Sequence, residues 1–176
     1  MVIQCILIGD TGVGKTSIIT QARPKAGGKA KRSFPTIGVD FQHYRFLETD
    51  LNIWDTSGDK NFHPLIRMFE KQCKSIVYVF DATSPTSFQS ICDWHSELYN
   101  PEKKYFCICN KIDLASSKEF GTRITHLYPE MMFLESSTDM NSNCDRILQS
   151  IIENSTSGNV EENSHISTIS ECCIIS

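Results

Sequence analysis

The residues Gly9-Asp10-Thr11-Gly12-Val13-Gly14-Lys15-Thr16 have the types and spacing that hold phosphate. The apolar run Val2–Ile8 precedes them and Ile18-Ile19 follows, so the order is strand, glycine-rich turn, helix start. Glycines let the backbone curl into a nest of inward N–H groups, and the helix N-terminus adds partial positive charge. Lys15 reaches the outer phosphates as a point charge, and Thr16 offers its hydroxyl to Mg²⁺. Gly12, Val13, Gly14, Lys15, Thr16 and Ser17 are the expected phosphate cradle.

Two further motifs follow in order. Asp55-Thr56-Ser57-Gly58 comes directly after the apolar segment Leu51–Trp54. Asp55 at a strand end can hold Mg²⁺ through water, and the Gly58 N–H can touch a terminal phosphate with no Cβ in the way. Asn110-Lys111-Ile112-Asp113 follows the apolar run Tyr105–Cys109. The Asp113 carboxylate can accept two parallel hydrogen bonds from the N1–H and 2-amino group of guanine, a donor pair adenine lacks. The Lys111 stem can pack on the base face.

Those motifs need a scaffold, and the rest of the chain provides one. At 176 residues, 40% hydrophobic and 22% charged, it has enough for one domain with a full core. A net charge of −4 gives no reason to expect a nucleic-acid partner. No run approaches the length of a membrane span, and the first residues lack a signal-peptide pattern. The eight cysteines form no C-x-x-C pair, and the first six read as reduced thiols. Strands are expected at 2–8, 39–46, 51–54, 75–80, 105–109 and 131–134, with a turn Leu47-Glu48-Thr49-Asp50 between the second and third. Helices are expected after Thr16, then over 86–99, 119–128 and 145–153. This alternation predicts an α/β fold, a mostly parallel six-stranded sheet with helices on both faces and its ligand at the strands' carboxyl ends. Residues 1–153 form the expected binding domain. From Asn154 the chain turns rich in Ser, Thr, Asn, Gly and Glu, and 154–176 reads as a flexible tail.

Together the three motifs resemble the small GTPases of the Ras superfamily, and Thr36-Ile37-Gly38-Val39-Asp40-Phe41 and Ile53-Trp54-Asp55-Thr56 resemble its Rab branch. The resemblance covers roughly residues 2–153 and the last two cysteines. It implies the P-loop small-GTPase fold, GTP/GDP and Mg²⁺ as ligands, and slow hydrolysis assisted by an activating protein. Thr36 would be the switch threonine that closes onto Mg²⁺ and the γ-phosphate. Lys15, Thr36 and Gly58 would then serve catalysis, with Thr16, Thr36 and Asp55 around the metal. Glu135-Ser136-Ser137 resembles the loop whose backbone touches the guanine oxygen, which brings Ser136 and Ser137 to the base. Phe41, Trp54 and Phe69 align with an aromatic triad shown to effectors; plain core packing explains the same residues.

Departures from the family pattern are informative. Asp59 stands where a water-orienting Gln is usual. At an effective dielectric of about 20, like charges ~4 Å apart repel by roughly 4 kcal/mol, so Asp59 should point away from the phosphates. Lys29 occupies the place of a base-stacking aromatic, and the lysine usual near Asp139 is missing. Arg23, Lys25, Lys29, Lys31 and Arg32 form a basic cluster that is either a solvated loop or a regulator- or lipid-docking contact.

The chain finishes Cys172-Cys173-Ile174-Ile175-Ser176, and Cys173 opens a C-a-a-X prenylation pattern. One lipid anchors marginally, and residues 154–171 carry no Lys or Arg, so Cys172 is expected to take a second lipid. The expected partners are effectors, an exchange factor, a GTPase-activating protein, the prenylation machinery and a membrane. The expected location is the cytosol and the cytoplasmic face of an intracellular membrane, in vesicle traffic. A competing expectation is a GTP-bound scaffold with little hydrolysis, suggested by Asp59.

Overall fold

In a computed structural model the described residues are 1–22, 35–140 and 143–156. The apolar runs become strands: β1 (Val2–Ile8), β2 (Val39–Phe46), β3 (Thr49–Thr56), β4 (Ser75–Asp81), β5 (Lys104–Asn110) and β6 (Met131–Glu135). They form one sheet in the order β2-β3-β1-β4-β5-β6, antiparallel only between β2 and β3. This is the α/β architecture that the alternation of strands and helices predicts.

Every residue of β4 is buried, as a central parallel strand covered on both faces requires. Side chains alternate between two cores with the strand period of two. On one face Cys5, Leu7, Val77, Val79, Phe106 and Ile108 pack with α1 (Lys15–Gln21) and α5 (Cys144–Thr156). On the other, Ile6, Ile8, Tyr78, Phe80, Cys107 and Cys109 pack with α2 (His63–Glu70), α3 (Pro85–Leu98) and α4 (Lys118–Leu127). Cys5, Cys73, Cys92, Cys107, Cys109 and Cys144 are all free thiols, and burial pushes that of Cys73 up to about 12.

The structure corrects three expectations. The β2–β3 turn is two residues, Leu47-Glu48, because Phe46 already pairs with Thr49 and Arg45 with Asp50. Parallel pairing of Val2 with Asp50 on β1 draws the start of β3 into the sheet. The tail boundary also shifts. Residues Asn154–Thr156 belong to α5, where Asn154 donates to the Ser150 carbonyl and Ser155 bonds across to Ser75. Composition misplaced that boundary because a polar helix end looks like a linker. Finally, α2, preceded by a 3-10 turn over Lys60–Phe62, was not anticipated. Its eight residues make only two turns, too short a segment for a helical period to stand out in sequence.

Candidate functional site

The phosphate motif joins the carboxyl end of β1 to the first turn of α1. Gly14 is the N-cap of α1 at φ 103, a left-handed conformation that costs a side-chain-bearing residue. A Cβ there would also lie 2.2 Å from Asn110 Nδ2. Lys15 is buried, donating to the carbonyls of Gly9 at 2.7 Å and Asp10 at 2.9 Å. Burial lowers its pKa to about 8, against the pull of Asp55 and Asp10.

Three oxygen-bearing side chains meet beside it. The Thr16 hydroxyl donates to Asp55 Oδ2 at 2.5 Å and lies 2.9 Å from that of Thr36. Burial raises the Asp55 carboxyl, opposed by the Thr16 hydroxyl and the Lys15 ammonium. Its Oδ1 is buried with no hydrogen bond among the described residues. A desolvated carboxylate oxygen next to two hydroxyls is the hard, all-oxygen donor set that suits Mg²⁺. Lys15, Thr16 and Thr36, with Gly12, Ser17 and Gly58, line one cleft of about 460 Å³. Its wall includes Pro35, Thr36 and Ile37, the first described residues after position 22.

Gly58, in the wall of the cleft, also has a close protein neighbour. A Cβ there would stand 2.1 Å from the Thr11 amide nitrogen, so the loop after β3 presses on the phosphate loop itself. Asp59 is exposed and caps the 3-10 turn, accepting from the Asn61 amide at 2.9 Å.

The base side of the site is organised by buried hydrogen bonds. Asn110 donates to the Val13 carbonyl at 2.8 Å and accepts from the Ser136 hydroxyl at 2.9 Å, tying the ends of β5 and β6 to the phosphate loop. Asp113 is exposed, and its Oδ1 accepts from the buried Ser137 hydroxyl. Ser137 in turn accepts from the Met140 amide at 3.2 Å. Lys111, at φ 62, pairs with Asp81 Oδ2 at 2.6 Å. Burial works to raise the Asp81 carboxyl, but hydrogen bonds from Lys111 and Thr83 outweigh it and hold it low. Sequence reasoning missed Asp81; its place at the carboxyl end of a fully apolar strand was the available signal.

Phe41, Trp54 and Phe69 do come together. Ring centroids are 5.0 Å apart for Phe41–Trp54 and 4.5 Å for Trp54–Phe69. Phe41 is half exposed, while Trp54 and Phe69 back onto the α2–α4 core, so the stack is both core edge and surface. Arg23, Lys25, Lys29, Lys31 and Arg32 lie outside the described residues, as do Cys172 and Cys173.

Comparison of the sequence with known proteins points to one family. The sequence model described as "Ras family" matches residues 4–157. The chain is 35% identical to "Ras-related protein Rab-42" of Mus musculus over 153 residues, covering 79% of this chain and 70% of that one. It is 28% identical to "Ras-related protein Rab-12" of Homo sapiens, covering 86% of this chain and 66% of that one. It is also 30% identical to "Ras-related protein SEC4" of Candida albicans over 176 residues, covering 93% and 81%.

Proposed function

The chain belongs to the Ras family, in its Rab branch, and on that premise we propose that it is a Mg²⁺-dependent GTP/GDP switch recruiting effectors in vesicle traffic. The observation that carries this reading is the convergence of Thr36, from the first switch segment, on Thr16 and Asp55. A side chain twenty positions from Thr16 belongs in that cluster if its segment closes over a bound phosphate and cation.

Each residue has a definite task. Lys15 gives up its carbonyl partners for phosphate oxygens and sets its charge against theirs. The nest around Gly12 to Gly14 fixes the polyphosphate for in-line attack by water. Thr16, Thr36 and Asp55 would hold Mg²⁺, which when bound neutralises charge on the outer phosphates. Thr36 closes the first switch, and the Gly58 loop follows from the other side. Asp59, engaged as a cap, supplies no carboxamide to orient water, so hydrolysis is slow and depends on an activating protein. Asp113, aimed by Ser137, selects guanine. Effectors dock on the Phe41–Trp54–Phe69 stack, and Cys172 and Cys173 carry the lipids that keep the switch at a membrane.

Displacement of a fluorescent guanine nucleotide tests the reading. GDP should compete on the order of 10⁴-fold better than ADP, since the wrong base leaves polar groups unpaired. Asp113→Asn should move the preference toward xanthine nucleotides, and equal ADP and GDP affinity would refute guanine specificity. Single-turnover hydrolysis with and without an activating protein then separates a switch from a GTP-bound scaffold.

A further inference from the structure

The α3 helix carries Ser90, Trp94 and Glu97 at i, i+4 and i+7, one stripe on one face. This stripe touches both the phosphate loop and α2. The Ser90 hydroxyl donates to Asp10 Oδ2, in the phosphate loop, at 3.0 Å. Trp94, 7% exposed, receives the α2 helix. The His63 ring sits on it at 4.6 Å, and the Arg67 guanidinium carbon lies 5.4 Å from the ring centroid. Arg67 then forks onto both Glu97 oxygens through Nε and Nη2.

A third contact closes a ring. The loop from β3 into α2 presses on Asp10 and Thr11 at Gly58, with no room for a Cβ. The phosphate loop, the Gly58 loop with α2, and α3 therefore touch one another pairwise. If the Gly58 loop moves with the terminal phosphate, α2 cannot follow without sliding on Trp94. Packed contacts of this kind have discrete arrangements and deform poorly between them.

We propose that the Ser90–Trp94–Glu97 stripe is a positioning device that couples the phosphate loop to α2, so that α3 registers which nucleotide is bound. The proposal deepens the switch reading and rests on it. Ser90 and Trp94 act through Asp10 and through His63 and Arg67, not on the reacting atoms.

The chain has two tryptophans, so Trp54→Phe leaves Trp94 as the sole tryptophan, whose emission is excited selectively over that of the tyrosines. The full-length Trp54→Phe protein is loaded with GDP or a non-hydrolysable GTP analogue in Mg²⁺, and its emission spectra are compared. We expect the two spectra to differ in position or intensity. Ser90→Ala, which leaves the α2–Trp94 contacts in place, should shrink that difference at least twofold. A purely structural role for Ser90 would change thermal stability and leave the difference intact. Single-turnover GTP hydrolysis should fall several-fold in Trp94→Ala, with GDP affinity held within about twofold, and Trp94→Phe should recover most of the rate. Thermal stabilisation by GDP is measured first. Its absence overturns the switch reading, and the coupling with it. Normal stabilisation with identical spectra in both nucleotides, or with a difference insensitive to Ser90→Ala, overturns the coupling alone.

Discussion

Lys15 shows what it costs to prepare a site for an anion. Its pKa falls to about 8 because burial outweighs Asp55 and Asp10. A lowered lysine pKa means the unfolded chain binds more protons between about 8 and the ordinary value of 10.5, so stability rises with pH across that window. Below it the protein carries the full cost of a buried charge, on the order of 3 kcal/mol. Phosphate oxygens relieve that cost by stabilising the ammonium. GDP should therefore raise the Tm strongly at pH 7 and progressively less above pH 8, by thermal shift at fixed nucleotide. In Lys15→Met the stabilisation should vanish at every pH, while the nucleotide-free Tm holds or rises. A pH-independent GDP shift in the wild type would show that Lys15 is not the titrating contact. The Asp59 carboxylate illustrates the reverse economy, since a local amide already engages it.

At the scale of elements, the β2–β3 hairpin carries a local conflict. Leu47 sits at φ 52 and is 79% exposed, so it bears the left-handed conformation without compensating burial. That conformation costs a side-chain-bearing residue about 1–2 kcal/mol, and glycine's extra freedom when unfolded returns about 0.5–1 of it. Leu47→Gly should thus stabilise the domain by roughly 0.5–1 kcal/mol in urea unfolding, with nucleotide affinity unchanged. A loss of stability would mean the exposed Leu47 side chain contributes more than its backbone costs. The α2 helix is the contrasting case. Beyond the Ile66 it buries, it is held by Trp94 and Glu97 on one side and by the Lys103 ammonium against Glu70 at its end.

On the scale of the molecule, the sheet collects motifs separated by about a hundred positions at the carboxyl ends of its strands. Asn110 bridges to Val13 across 97 residues and Thr16 to Asp55 across 39. The opposite end of the sheet is closed by α5, whose Ser155 reaches Ser75 at the start of β4. The cysteine pair is therefore reached only after α5 ends at Thr156, twenty residues before Ser176. No helix among the described residues is long and apolar enough to cross a membrane. Cys173→Ser should move the protein from the membrane to the soluble fraction of its own cell, and Cys172→Ser should leave weak, salt-insensitive binding. Intact mass of the membrane-bound fraction checks this, and unmodified cysteines there would refute lipid anchoring.

The phosphate loop and the Asn110–Asp113 segment were legible in the sequence because each is a contiguous run at the end of an apolar strand. Glycine at 12 and 14, lysine at 15 and a preceding apolar strand specify that turn locally, whatever surrounds it. The six strands and four of the five helices were legible for the same kind of reason, since burial on both faces or on one stripe prints a period. Other features were settled only by packing between distant segments. The close packing of Gly58 on the Thr11 backbone and the clasp of the Lys111 ammonium by Asp81 are of this kind. The α2 helix is only two turns long, and its partners Trp94 and Glu97 lie about thirty residues away on α3. Periodicity records how a segment meets a uniform core, whereas a pair of side chains meeting across the fold leaves no trace in either segment alone.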